Sequence, residues 1–331
     1  MEKQRFPEID VLKCAGILAV VYIHSISTSF APKNPLGIFF ADFTRFAVPG
    51  LFFAAGFLFD KKKNSTGQII GKKLVRLLPP YLFCSLCIQF LNLPGLNVRL
   101  ENLNASLLIH NLIFCDTLRI YYYIFVLLYL FAGGLFLRKL PDKWTLALWG
   151  LSALLLIAFV KGRIGFATSS MSLIFRHPCF HLFGFLSGWV FSLYYQPVGS
   201  FLKQYRTRLI SGGLLLTAAV LVYTRMNGNF ASFPILTQVF IYTWMTVLVT
   251  AGMQETKLQG VIVFISNCSY GIYLLHLPIV RACQSFYPAW SADYSFIPAL
   301  VSWCSGLAGS ILIIHVAQKI CGPNSRYLIG C

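Results

Sequence analysis

Acidic residues are the scarcest class in this chain: Asp and Glu number ten among 331 residues, and charged residues of both signs make up 11%. A soluble domain carries about a quarter charged residues, so a water-exposed globular fold is excluded. Metal or redox patterning is missing too, because Cys84-x-x-Cys87 has no second pair and the other cysteines lie singly, mostly in apolar stretches. Packing thiols and no metal are expected. No basic tail with interleaved aromatics accompanies the net charge of +17, which removes nucleic acid as a partner. Linkers, low-complexity tracts and visible repeats are also wanting, so the expectation is a single domain over residues 1–331. Met1 to Pro7 shows no small-residue cleavage pattern and reads as the approach to a retained first helix, not a removed signal peptide.

What the chain does hold is apolar and aromatic: 57% hydrophobic residues, with 30 Phe, 16 Tyr and 6 Trp, and a mean hydropathy of +0.71. Lipid is therefore the solvent for most of it, and the fold class is an all-α polytopic membrane protein. A helix crossing about 30 Å of hydrocarbon needs roughly 20 residues. About ten such windows occur, at 10–30, 36–59, 76–93, 120–138, 144–160, 173–195, 209–224, 235–252, 261–280 and 296–318. The Asn-rich stretch from Leu96 to Arg119 reads as a helix lying along the outer surface. With the N-terminus inside, about 18 of the Lys and Arg fall on inner segments and about 7 on outer loops, so both termini are expected in the cytoplasm.

Ionisable groups within spans are costly and default to functional candidates. Lys13 and His24 are eleven residues apart, within about 20° of three full turns, so they share a face of the first helix about 16 Å apart along its axis. A snorkelling lysine and a histidine satisfied by a neighbouring helix is the alternative. The second span carries Asp42 and Arg45 as an i,i+3 pair, followed by Val48-Pro49, which reads as an ion pair and a proline kink. The ninth places Ser269, Tyr273 and His276 on one face. His24, His276 and Arg45 fall at similar depth in three different helices, which suggests one buried polar site rather than scattered hydrogen-bonding glue. Lys73 and Arg76 share a face at the entrance of the third span, either as a topology signal or as a phosphate clamp. Arg176, His177 and His181 are placed in the sixth span near the outer surface, without carboxylate partners for a metal. His110 and His315 read as structural.

Four elements then occur in order: Arg5-x-x-x-x-Asp10-x-x-Lys13, ten residues and His24; Arg45-x-x-Val48-Pro49-x-x-Phe52-Phe53-x-x-Gly56-Phe57-Leu58; Lys73-x-x-Arg76 before Pro79-x-Tyr81; and Ser269-Tyr-Gly-Ile-Tyr273-Leu-Leu-His276. Together they resemble the acyltransferase-3 family of integral-membrane O-acyltransferases, over the whole chain, in its standalone form without a fused esterase-like domain. Lys stands at 13 and 73 where the family often has Arg, Ala55 where it usually has Ser, and Tyr121-Tyr122-Tyr123 where it commonly includes Trp. The resemblance implies transfer of an acetyl or other short acyl group from cytoplasmic acyl-CoA, acetyl-CoA foremost, to a hydroxyl of a cell-surface or lipid-linked saccharide, in a bacterial inner membrane. It implies catalytic roles for His24, Arg45 and His276, and phosphate binding by Lys13, Lys73 and Arg76. Supporting or acceptor-binding roles go to Asp10, Asp42, Tyr122, Ser269 and Tyr273.

Acyl transfer to a hydroxyl needs a base at the attacking oxygen and a polar group for the oxyanion. His24 serves either as base or as acyl relay, and Arg45 as the electrostatic stabiliser. The competing class is a transporter or flippase of a lipid-linked saccharide, which also needs polar groups at mid-depth; no paired halves with broken helices argue for it. Membrane lipids surround the aromatic outer face, which leaves room for a homo-oligomer.

Overall fold

Wherever the apolar runs go unbroken by Pro-Gly clusters the backbone closes into helix, since a segment in lipid must satisfy its N–H and C=O groups internally. The computed structural model describes residues 5–27, 35–59, 65–91, 104–115, 117–161, 176–227, 234–254, 256–285 and 296–331. In chain order the helices are α1 (Pro7–Ser27), α2 (Pro35–Phe43), α3 (Ala47–Phe57), α4 (Thr66–Leu91), α5 (Ala105–Ile113), α6 (Tyr122–Leu137) and α7 (Asp142–Val160). They continue as α8 (Pro178–Leu193), α9 (Tyr195–Gln204), α10 (Arg206–Asn227), α11 (Pro234–Gly252), α12 (Gln259–Ser285), α13 (Phe296–Cys321) and α14 (Ser325–Leu328). Among the described residues seven of these are long and apolar enough to cross a membrane, and α6 and α8 are shorter apolar helices of the same kind. The protein is an all-α polytopic membrane protein.

Four boundaries differ from expectation, each for a local reason. The helix of the third span, α4, begins at Thr66, ten residues before the expected 76, because Ser65 and Gln68 cap it reciprocally, so Lys73 and Arg76 lie inside the helix and not at its entrance. The span at 36–59 is not one kinked helix: a 3₁₀ turn, Thr44–Phe46, separates α2 from α3. Thr44 Oγ1 bonds back to the carbonyls of Phe40 and Ala41. Pro49 then falls in the first turn of α3, where its missing N–H costs nothing, so it opens a helix instead of kinking one. The sixth span starts five residues late. His177 is the N-cap, its Nδ1 accepting from the Cys179 N–H at 3.3 Å, with Pro178 as first helical residue. Arg176 and His177 therefore precede α8 rather than riding on it. Finally, α12 runs on to Ser285 through Pro278, which carries Arg281 inside the helix. Residues 96–103, the first part of the stretch expected to lie along the surface, fall outside the described residues, as do residues 92–93 of the expected third span; the remainder of the stretch supplies α5, capped by Asn104 accepting from Leu107 N–H at 2.7 Å.

The chain divides into two compact units. The first comprises residues 1–19, 32–59 and 130–266. Its tightest seam joins α3 to α8, where a Cβ at Gly56 would sit 1.9 Å from the Phe185 carbonyl oxygen and one at Gly188 1.9 Å from that of Phe53. Glycine is required at both because the two backbones touch. Phe59 stacks on Trp189 with centroids 5.0 Å apart, and the fully buried Phe52 meets the His181 ring at 4.5 Å. Against α10 and α11, α2 packs Phe39, Phe40 and Phe43 around Val220, Phe240 and Trp244.

The second unit comprises residues 20–31, 60–129 and 267–331. Buried amides link α5 to α4, Asn111 donating to Gln89 Oε1 at 3.2 Å and Gln89 donating to Thr117 Oγ1 at 3.3 Å. Tyr81 caps the end of α5, its hydroxyl donating to the carbonyls of Asn111 and Leu112. Gly306 of α13 faces Val21 and Val280 closely enough that a methyl group would displace both. None of the ten cysteines is in a disulfide; Cys84, buried in α4, donates to the Leu328 carbonyl.

Candidate active site

His24 and His276 are brought together in the second unit. Each lies 17 residues after the first residue of its helix, so α1 and α12 present them about 25 Å from those ends. Their ring centroids are 5.4 Å apart at an interplanar angle of 39°. His276 is fully buried and its Nδ1 lies 2.9 Å from the Ile272 carbonyl oxygen. A carbonyl only accepts, so Nδ1 carries the hydrogen and the neutral ring presents a bare lone pair at Nε2. That Nε2 is buried and has no hydrogen-bond partner among the described residues. An unsatisfied buried nitrogen costs about 1–3 kcal/mol, an expense that a proton-exchange site accounts for and a packing residue does not.

Pro278, two residues beyond His276, has no N–H to give the Leu274 carbonyl four residues back. The Tyr121 hydroxyl takes that carbonyl instead, at 2.8 Å, from a ring with no solvent exposure. Tyr273, expected to orient the acceptor, donates its hydroxyl to the Ile120 carbonyl and stacks 5.3 Å from Tyr123 and 6.3 Å from His276. Its hydroxyl is thus engaged in holding the turn before α6. Ser269 is buried one helical turn earlier, and Tyr122 is half-buried at the start of α6.

Two side chains that the sequence reading left out complete this region. Gln284 Nε2 donates to the Ser25 carbonyl at 3.0 Å, tying the last turn of α12 to the residue after His24. Arg281 is half-buried on α12, five residues beyond His276. The signal was a lone cation five residues after His276 in an apolar run; ending the span at residue 280 assigned it to a loop.

The remaining candidates divide between the two units. In the first unit Asp10 accepts from Arg5 at 2.7 Å and from Ser266 Oγ at 2.6 Å, and Lys13 donates to the Ser266 carbonyl at 2.8 Å. This network fixes the start of α1 to α12. Beside it Glu8, 2% exposed, accepts from the Tyr195 hydroxyl at 2.7 Å; burial and the neighbouring carboxylate push that phenol up to about 12, so it remains a donor at any physiological pH. Arg45 sits in the 3₁₀ turn, its side chain 39% exposed, bonded at 2.8 Å to an Asp42 carboxylate that is 1% exposed. Asp42 Oδ2 is buried without a hydrogen bond among the described residues. In the second unit Lys73 and Arg76 lie three residues apart on α4, the lysine half-buried and the arginine exposed. His110 and His315 are exposed.

A family model of the acyltransferase-3 family, described as an acyltransferase domain, matches residues 6–317. Comparison with curated proteins and with solved structures gave no match.

Proposed function

The chain belongs to the acyltransferase-3 family, and from that premise we propose that it moves an acetyl or other short acyl group from acyl-CoA to a hydroxyl of a cell-surface or lipid-linked saccharide. The observation that carries the reading is the imidazole pair, His24 half-buried against a fully buried His276 whose Nδ1 is anchored to a backbone carbonyl and whose Nε2 is left open. His24 takes the proton of the acceptor hydroxyl as that oxygen attacks the thioester carbonyl carbon. When the tetrahedral intermediate collapses, the C–S bond breaks, the electron pair leaves on sulfur, and the proton on His24 passes to the CoA thiolate. Acyl relay through His24 runs on the same atoms in two steps, with the imidazole as first nucleophile. His276, fixed in one tautomer, positions His24 and shares its proton. Donor phosphates are assigned to Lys73 and Arg76, and on the resemblance to Lys13. The loop charges support an orientation with both termini inside, and the family resemblance supports the cytoplasmic membrane as its place.

The test is transfer of label from acetyl-CoA by the purified protein in the presence of a saccharide acceptor. His24→Ala should lower turnover by about 10²- to 10⁴-fold, the usual contribution of a general base, while acetyl-CoA binding persists. His315→Ala, at an exposed position, should match wild type. Activity retained in His24→Ala with loss in His276→Ala would move the chemistry to α12. Protein that neither transfers nor hydrolyses label, yet moves a lipid-linked saccharide across vesicles, would establish the flippase reading instead.

A further inference from the structure

We propose that a groove of the first unit, between α7 and α11, binds an acyl chain of an anionic phospholipid whose headgroup rests on Lys203, Arg206 and Arg208. The groove has a volume of about 560 Å³, and α3, α7, α8, α9 and α11 all contribute to its walls. Along α11 it runs from Ile235 to Val249, fourteen residues further on, or about 21 Å. That exceeds half the ~30 Å of hydrocarbon, the depth that one acyl chain fills. Its mouth is apolar and open, with Ile157 of α7 and Val239 of α11 both exposed. The wall behind is aromatic and held in place. Phe183 meets Tyr242 edge-on at 4.8 Å and stacks on Trp149 at 5.9 Å, and the Trp149 indole donates to Ser187 Oγ at 2.9 Å. A preformed apolar cleft of this size suits a hydrocarbon ligand, and in a membrane the chains of lipids are the ligands at hand.

Charge at one end of the groove selects the headgroup. Val198 and Leu202 of α9 line that end, where a Cβ at Gly199 would fall 3.7 Å from Cε of Met253, just past α11. Because α9 joins the apolar helix α8 to the spanning helix α10, it lies at a membrane face. Gly199 and Leu202 are buried, whereas Phe201 is exposed, its ring 4.8 Å from that of Tyr205, with the Arg208 guanidinium 5.5 Å over the tyrosine. Aromatic rings beside cations belong at the headgroup level. Lys203, Arg206 and Arg208 follow directly on Leu202, and no Asp or Glu occurs between Asp142 and Glu255. None of the three cations forms an ion pair among the described residues. Arg206 is half-buried, and its Nε is enclosed without a hydrogen-bond partner among the described residues. An enclosed guanidinium donor calls for an acceptor, and a phosphodiester offers two oxygens in the geometry that the fork takes. A zwitterionic lipid brings its own cation to the same place, so the cluster favours a lipid of net negative charge.

The experiment reconstitutes the full chain in phosphatidylcholine vesicles and adds either phosphatidylglycerol or phosphatidylcholine brominated in its acyl chains, reading quenching of Trp149 as the difference from Trp149→Phe. Brominated phosphatidylglycerol should quench at a mole fraction about ten- to thirty-fold lower than brominated phosphatidylcholine, each cation near the surface being worth about five-fold. The preference should shrink at high salt. Lys203→Gln with Arg206→Gln should bring the two lipids within about five-fold of each other, the share left to Arg208. Ala153→Phe, which fills the groove and leaves the cations in place, should abolish the preference. Should Ala153→Phe fail to accumulate, the wild-type preference and its loss in the double variant decide. Equal quenching by the two lipids in wild type overturns the proposal, as does a preference that survives the double variant or the filled groove. A preference abolished by acetyl-CoA also overturns it, since the cations would then serve the donor's phosphates.

Discussion

Tyr121→Phe removes one oxygen from a ring that no solvent reaches, and the structure sets what that oxygen is worth. Its partner, the Leu274 carbonyl, accepts at 2.8 Å, and the helical donor it would otherwise have is missing because residue 278 is proline. The phenylalanine keeps the edge contact with Tyr81, whose ring centroid is 5.5 Å away, so little packing is lost. What remains is a buried acceptor without a donor, a penalty of about 1–3 kcal/mol. In a Pro278→Ala background the N–H returns and Leu274 has a second donor. There the same Tyr121→Phe change should cost only about 0.5–1.5 kcal/mol, the net worth of an ordinary hydrogen bond. The four proteins of this double-mutant cycle, unfolded reversibly in mixed micelles, should therefore show a coupling of about 1 kcal/mol. Additivity to within about 0.3–0.5 kcal/mol would refute the claim that the tyrosine exists to serve the proline.

The seam between α3 and α8 predicts that Gly188→Ala, whose methyl would lie 1.9 Å from the Phe53 carbonyl oxygen, destabilises the protein by at least the ~1–3 kcal/mol of an overpacked core. Gly212→Ala, on α10 with nothing within 4 Å of its Cβ, should instead be neutral or stabilising by up to about 1 kcal/mol, and equal thermal shifts for the two in detergent would discredit the seam. For donor binding, alanine at both Lys73 and Arg76 should weaken acetyl-CoA affinity by at least about ten- to a hundred-fold, since each hydrogen bond to a charged phosphate contributes roughly 1.5–3 kcal/mol. An unchanged affinity in calorimetry would return the two cations to the role of a topology signal.

The helical architecture was legible because membrane solvation leaves hydrophobic runs a single outcome, and the apolar helices fall where the runs fall. The histidine pair was legible for a related reason: counting residues from a helix start measures depth, and His24 and His276 agree in that count. Boundaries were less so. Apolar residues on both sides of Thr44 hid the 3₁₀ turn, which depends on a threonine bonding back to Phe40 and Ala41. The apolar window ended at residue 280, whereas α12 continues through Pro278 to Ser285, a tyrosine from elsewhere in the unit supplying the hydrogen bond that Leu274 loses. Ser266, Gln284 and the Glu8–Tyr195 pair were invisible in the sequence because each is paired across a long separation, 256 residues in the case of Asp10 and Ser266. No local pattern announces such a partner.

The second unit meets its structural need for polarity with neutral groups. Tyr81, Tyr121 and Tyr273 cap backbone carbonyls left over at helix ends or by proline, and Gln89, Asn111 and Thr117 satisfy one another. Neutral donors do this at least cost in lipid, because an amide or hydroxyl that finds a partner carries no charge to desolvate. Against that background His24 and His276 stand apart: they are ionisable, they lie within spans, and their ring centroids are 5.4 Å apart. If the need were only to join helices, another hydroxyl or amide would do, as it does throughout the rest of the unit. An imidazole can accept a proton and give it back, which the proposed transfer requires and a structural hydroxyl or amide does not supply. Neutral side chains thus carry the architecture of the second unit, and the histidine pair, ionisable and within spans, is where the proposed proton transfer is assigned.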